Sequence, residues 1–159
     1  MTNFVDCDTL NKTVEYGVIM KKDTTEIVKE LKLSPDFQTF YNENKDYMIS
    51  NDLAQMLSEL LKSKGLKKSH VIRHAEISEV YGYQIFSGVR VPERNKLLCL
   101  ALSMKLNIDE VQALLKCGGY TQLYVKKPFD SVILYGFCKG LSVIEINELL
   151  YSYDLETLG

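Results

Sequence analysis

His70 and His74 stand four positions apart, the spacing at which two imidazoles on one helix face can share a metal ion. A zinc site needs three or four ligands, no third stands near, and Val71 takes the place of the general-base glutamate of an HExxH helix. Contact with solvent or phosphate is the expected role of the pair, and no metal is expected. Cys7, Cys99, Cys117 and Cys138 are far apart and form no CxxC pair. At least two of them sit in apolar helical runs (LLCLAL, LLKCGG), so reduced, buried thiols are predicted. There is no Gly-rich phosphate loop, nucleophile elbow or evident carboxylate pair. The expectation is therefore no enzyme activity, no catalytic residues and no cofactor. Tyr81 and Tyr83 offer binding chemistry instead, as large amphipathic side chains of the kind that anchor interfaces.

The elements that position these residues belong to a chain of 159 residues, enough for one ordinary core or a small domain with a helical appendage. With 46% hydrophobic and 25% charged residues, three prolines and no tryptophan, the composition is that of a globular protein. No apolar run approaches the ~20 residues that span a bilayer. The N-terminus has neither a basic start nor an apolar stretch, so a cytoplasmic protein with no membrane partner is expected. The net charge of −2 argues against binding nucleic acid through bulk charge, but it is unevenly spread. Residues 1–49 carry six lysines against nine acids, a balance of −3; residues 50–118 carry ten basic against seven acidic, +3; residues 119–159 carry three against five, −2.

Helical periodicity runs through most of the chain. Leu53, Met56, Leu57, Leu60 and Leu61 recur at steps of three and four, predicting a helix over residues 52–64 with Ser50 or Asn51 as N-cap and Gly65 as its stop. Shorter helices are predicted over 68–75 and 78–87, the second closed by Gly88, and another from Pro92 to about Met104. Asn107 and Glu110 form a capping pair for a fifth helix ending at Gly118 and Gly119. After a connector, residues 129–139 predict a helix stopped by Gly140. Ser142 and Glu145 box the start of another, with Val143, Ile146, Leu149, Leu150 and Tyr153 as an apolar stripe suited to core or to a dimer seam. In the first 49 residues, Thr24 or Thr25 can cap a helix through Leu33, Ser34 and Pro35 break it, and residues 36–42 can begin another. The YGVIM segment fits either a short strand or a buried turn.

Two short helices packed at a steep angle let the second enter the DNA major groove while the first braces on the backbone. Val71, Ile72, Ala75, Ile77, Ile85 and Phe86 supply the apolar contacts such a pair needs. Residues 52–115, through Gly65-Leu66, Ile77-Ser78, Gly88, Arg90, Pro92 and the segment LALSMKLNIDEV, resemble the XRE-type (Cro and lambda-repressor-like) helix-turn-helix family. The chain departs from that family at two places. Family members usually have alanine where Ile72 stands and a branched aliphatic residue where Gly82 stands, a swap in which Ile72 fills the volume that Gly82 leaves. They usually have glycine where Glu76 stands, which predicts a strained or altered turn.

The resemblance implies an all-α protein: a five-helix core over residues 50–118, an N-terminal helical extension over 1–49 and a C-terminal helical pair over 119–159. It also implies sequence-specific binding of double-stranded DNA by a transcriptional regulator, commonly a repressor acting as a homodimer on half-sites roughly 34 Å apart. Matched to the family, Glu79, Tyr83 and Gln84, with Tyr81, face base edges; Gln84 suits adenine and Glu79 a cytosine amine. Lys67, Lys68, Arg90, Arg94 and Lys96 flank that helix as phosphate contacts. Residues 78–87 nevertheless hold no Lys or Arg and carry Glu79. A protein-interaction module with weak or no DNA binding is the competing reading.

Overall fold

The computed structural model describes residues 22–48 and 52–159, and every regular element among them is helical. YGVIM, Cys7, Ser50 and Asn51 lie outside the described residues. The chain divides into two compact units, Met1–Ser50 and Asn51–Gly159.

In the first unit, α1 (Thr24–Leu33) is followed by Ser34 in extended backbone, which ends it before Pro35. Asp23 occupies the N-cap position expected of Thr24 or Thr25, without a side-chain bond to the helix. The second helix, α2 (Phe37–Asn44), begins at Asp36, whose carboxylate accepts from Thr39 N at 2.8 Å and Thr39 Oγ1 at 2.9 Å. These two bonds hold its pKa below the usual carboxylate value. A single 3-10 turn, Lys45–Tyr47, follows. The buried Asn44 donates to Phe40 O and accepts from Lys22 Nζ, which also pairs with Glu30 at 2.7 Å.

The second unit holds α3 (Leu53–Ser63), α4 (Lys68–His74), α5 (Glu79–Phe86), α6 (Arg94–Ser103), α7 (Ile108–Cys117), α8 (Pro128–Lys139) and α9 (Val143–Ser152). Asp52 caps α3, accepting from Gln55 N. At Gly65, φ +63 turns the chain so that Leu66 N reaches back to Leu61 O at 3.0 Å. The same closure recurs at Leu106, Tyr120, Leu141 and Leu155, each time carrying a partly or fully buried apolar side chain back onto the core. The reciprocal boxes Asn107–Glu110 and Ser142–Glu145 both form, and the Ser142 bonds hold the Glu145 carboxyl below its ordinary pKa.

The centre of this unit is α6. All six residues from Leu97 to Leu102 are buried, as befits a helix apolar on every side. It packs against α4, α7 and α9; α3 covers α5 and α7, while α8 closes against α7 and α9. Pro92 does not open α6. It lies two residues ahead, buried, its carbonyl accepting from Tyr120 Oη at 2.6 Å, and the helix starts at Arg94. The connector after α7 is held by Gln112, which bonds both the amide and the carbonyl of Leu123. Of the apolar stripe on α9, Val143, Ile146 and Leu150 are core, while Leu149 is half-buried and Tyr153 is 68% exposed.

Candidate functional site on α4 and α5

Residues 75–78 separate α4 from α5. Val71, Ile72, Ala75, Ile85 and Phe86 are buried and Ile77 half-buried, so all six side chains expected to join the two helices do so. Ser103 Oγ donates to Val71 O at 2.6 Å and ties α4 to α6. The expected packing reason for Gly82 is present: a Cβ built there would lie 2.5 Å from Ile72 Cγ2 and 2.7 Å from Ile72 Cγ1. Glu76 adopts φ 54, the left-handed conformation that glycine takes without strain. Beside the turn, a cleft of about 370 Å³ is lined by Ser69, Ile72, Arg73, Glu76, Ile77 and Glu79.

Ser78 caps α5 by accepting from Tyr81 N, which sets Glu79 exposed in the first turn. Tyr83 is 42% exposed, Gln84 half-buried, and Tyr81 half-buried against the core. Glu79, Tyr83 and Gln84 therefore share an accessible helix, with less of Tyr81 available. Val80, 70% exposed on α5, and Val89 and Val91, exposed just beyond its end, carried no signal in the sequence. Their β-branched side chains had no polar neighbour pattern to mark them.

The five cations separate into two groups. Lys67 and Arg90 are exposed, and Lys68 lays its Nζ 5.3 Å from the centroid of the Phe86 ring. Arg94 is engaged elsewhere: Nη2 pairs with the buried Asp130 at 3.1 Å and Nε donates to Thr121 O at 3.2 Å. Asp130 Oδ2 accepts from Tyr124 N, so both its oxygens are satisfied inside the fold. Lys96 donates to Gly159 O at 3.1 Å. Arg94 and Lys96 thus bind α6 to the C-terminal part of the unit.

On α4 the rings of His70 and His74 lie with centroids 4.0 Å apart, tilted by 33°, and His74 Nδ1 lies 2.8 Å from His70 O. Among the described residues no group of three His, Cys, Asp or Glu side chains is placed to hold a metal. Burial pushes the Cys99 thiol up to about 11. Cys117 is only half-buried and Cys138 is exposed, contrary to the expectation of uniformly buried thiols: α8 turns Cys138 away from the core that receives Ile133 and Gly136. No helix among the described residues is long and apolar enough to cross a membrane.

Comparison with known protein families, curated proteins and solved structures finds no match to this chain.

Proposed function

We propose that Asn51–Gly159 is a DNA-binding unit of the XRE helix-turn-helix type and that the protein is a sequence-specific transcriptional regulator, a repressor acting as a homodimer. The observation that carries this reading is α5 itself. It is braced on its inner face by Gly82, Ile85 and Phe86 and presents Glu79, Val80, Tyr83 and Gln84 outward across a four-residue turn from α4. Gln84 meets adenine, Glu79 accepts from a cytosine amine, and Val80 is suited to a thymine methyl. Lys67, Lys68 and Arg90 contact phosphates and fix register; Arg94 and Lys96 act through the fold.

Incubating the full chain with fragmented genomic DNA at ~0.1 M salt and sequencing what it retains tests this directly. A few enriched sites, lost or altered with Gln84→Ala, are expected. With about three phosphate contacts per protomer, the logarithm of affinity should fall against the logarithm of salt with a slope near −3 per half-site. Enrichment of no site overturns the proposal.

A second reading has its own support. Val80 and Tyr83 on α5 and Val89 and Val91 just beyond it are exposed apolar side chains, Glu76 and Glu79 are exposed at its start, and α5 has no Lys or Arg. Such a surface suits a protein partner, whose binding would hardly respond to salt.

A further inference from the structure

The faces of α8 and α9 enclose an open groove of about 470 Å³. Pro128, Val132 and Tyr135 line one wall; Leu149, Tyr153 and Leu155 line the other. Val132 and Leu155 pack against the core and, with the half-buried Leu149, form the floor, while Tyr135 and Tyr153 stand 51% and 68% exposed along the rim. Aromatic side chains at the edge of an apolar trough are the anchors found at the centre of protein interfaces.

The charges around the groove indicate what covers it. Lys127 immediately precedes Pro128, and Lys139 Nζ lies 5.8 Å from the centroid of the Tyr135 ring, so the α8 wall is cationic at both ends. Beside the other wall, Glu145 and Glu148 on α9 and Asp154 and Glu156 just beyond it are exposed carboxylates, of which Glu145 is held by Ser142 and feels the charge of Lys105. Gly136 meets Ile146 near the turn through Gly140, while Pro128 and Leu155 meet at the far end of the same groove, so the two helices run back along one another. The start of α8 therefore lies beside the end of α9. A two-fold axis running along the groove sets the α8 wall of one copy against the α9 wall of another. Lys127 then faces the region of Asp154 and Glu156, and Lys139 the region of Glu145 and Glu148. A surface divided into one basic and one acidic wall matches itself under that rotation, as an isologous interface requires.

We propose that the α8–α9 groove is the interface of a symmetric homodimer, occupied by the same groove of a second copy. No residue lining it belongs to α4 or α5. The assignment rests on the homodimer proposed above and names its surface; what α5 binds is tested separately by DNA retention.

Sedimentation equilibrium of the full chain from ~1 to 100 μM tests it, a range that spans a dissociation constant of ordinary strength. A limiting mass twice the chain's 18.2 kDa is expected. Tyr153→Glu should weaken the dimer at least about 100-fold, because the change occurs twice per interface. Lys127→Glu should weaken it about tenfold, and adding Asp154→Lys should restore it. These residues are on the surface, and unchanged melting curves verify that the variants remain folded. A mass of 18.2 kDa across the whole range overturns the proposal. So does a dimer that keeps its affinity in both single variants, or a Lys127→Glu defect that Asp154→Lys does not repair.

Discussion

Gly82→Ala would ordinarily strengthen a helix, since alanine exceeds glycine by about 1 kcal/mol in propensity. Here the added methyl meets the three outer carbons of Ile72, at 2.5, 2.7 and 2.8 Å. Ile72 is 2% exposed and β-branched, and its stiff χ1 inside α4 leaves it little room to swing away. Overpacking of this kind costs about 1–3 kcal/mol, so the substitution should destabilise the unit by about 1 kcal/mol net and lower its melting temperature by about 4 °C. Ile72→Ala removes every atom that clashes, itself at a cost of about 2–5 kcal/mol. In that background Gly82→Ala should become stabilising by about 1 kcal/mol, giving a coupling near 2 kcal/mol between the sites. Thermal and urea unfolding of the four proteins, followed by circular dichroism, supplies the cycle. A higher melting temperature for Gly82→Ala alone, or the same loss in both backgrounds, would refute the idea that the two helices meet through an exchanged pair of volumes.

Glu76→Gly should stabilise the unit by up to about 1 kcal/mol in urea unfolding, because left-handed backbone costs a non-glycine residue about 1–2 kcal/mol and glycine loses part of that gain to chain entropy. Gly140→Ala, at φ 66, should instead lose about 1 kcal/mol in the same assay. Arg94→Ala should destabilise by about 3 kcal/mol by leaving Asp130 buried without its cation, and Asp130→Asn should recover part of that loss. If α5 reads DNA as proposed, Arg94→Ala, measured well below the melting temperature, should reduce DNA affinity less than Lys67→Ala; the opposite order would return Arg94 to the phosphate-contacting group. With a thiol reagent at pH 8, Cys138 should be labelled in the native protein within minutes. Cys99, only about 0.1% thiolate when its pKa is near 11, should react only on unfolding, as peptide mapping by mass spectrometry can establish.

What the sequence disclosed was what neighbouring residues decide among themselves. Asn107 with Glu110 and Ser142 with Glu145 are reciprocal pairs three positions apart, so both helix starts were legible from spacing alone. Gly82 and Ile72 were legible as a departure from a familiar pattern, and their contact spans only the helix-turn-helix. Arg94 was not: its partner Asp130 is 36 positions away, and a cation a few residues after α5 gives no local sign that it faces inward. Pro92 misled for a similar reason, since its carbonyl is fixed by Tyr120 from beyond α7. Along α9, residues 149 and 150 are adjacent in sequence yet belong to different surfaces, so one apolar stripe concealed both a core face and an open wall.

The burial of α6 on all sides has a consequence for how far apart two copies of α5 can reach. The same helix is packed by α4 on one side and by α9 on another, and Lys96 anchors it to the last residue of the chain. Both α5 and the α8–α9 face belong to the one unit Asn51–Gly159. Two protomers joined through that face would hold their α5 helices at a span determined by packing, like the jaws of a fixed gauge. If α5 reads DNA as proposed, operators lengthened or shortened by even a few base pairs should then be rejected outright, where a regulator with flexibly linked halves would adapt.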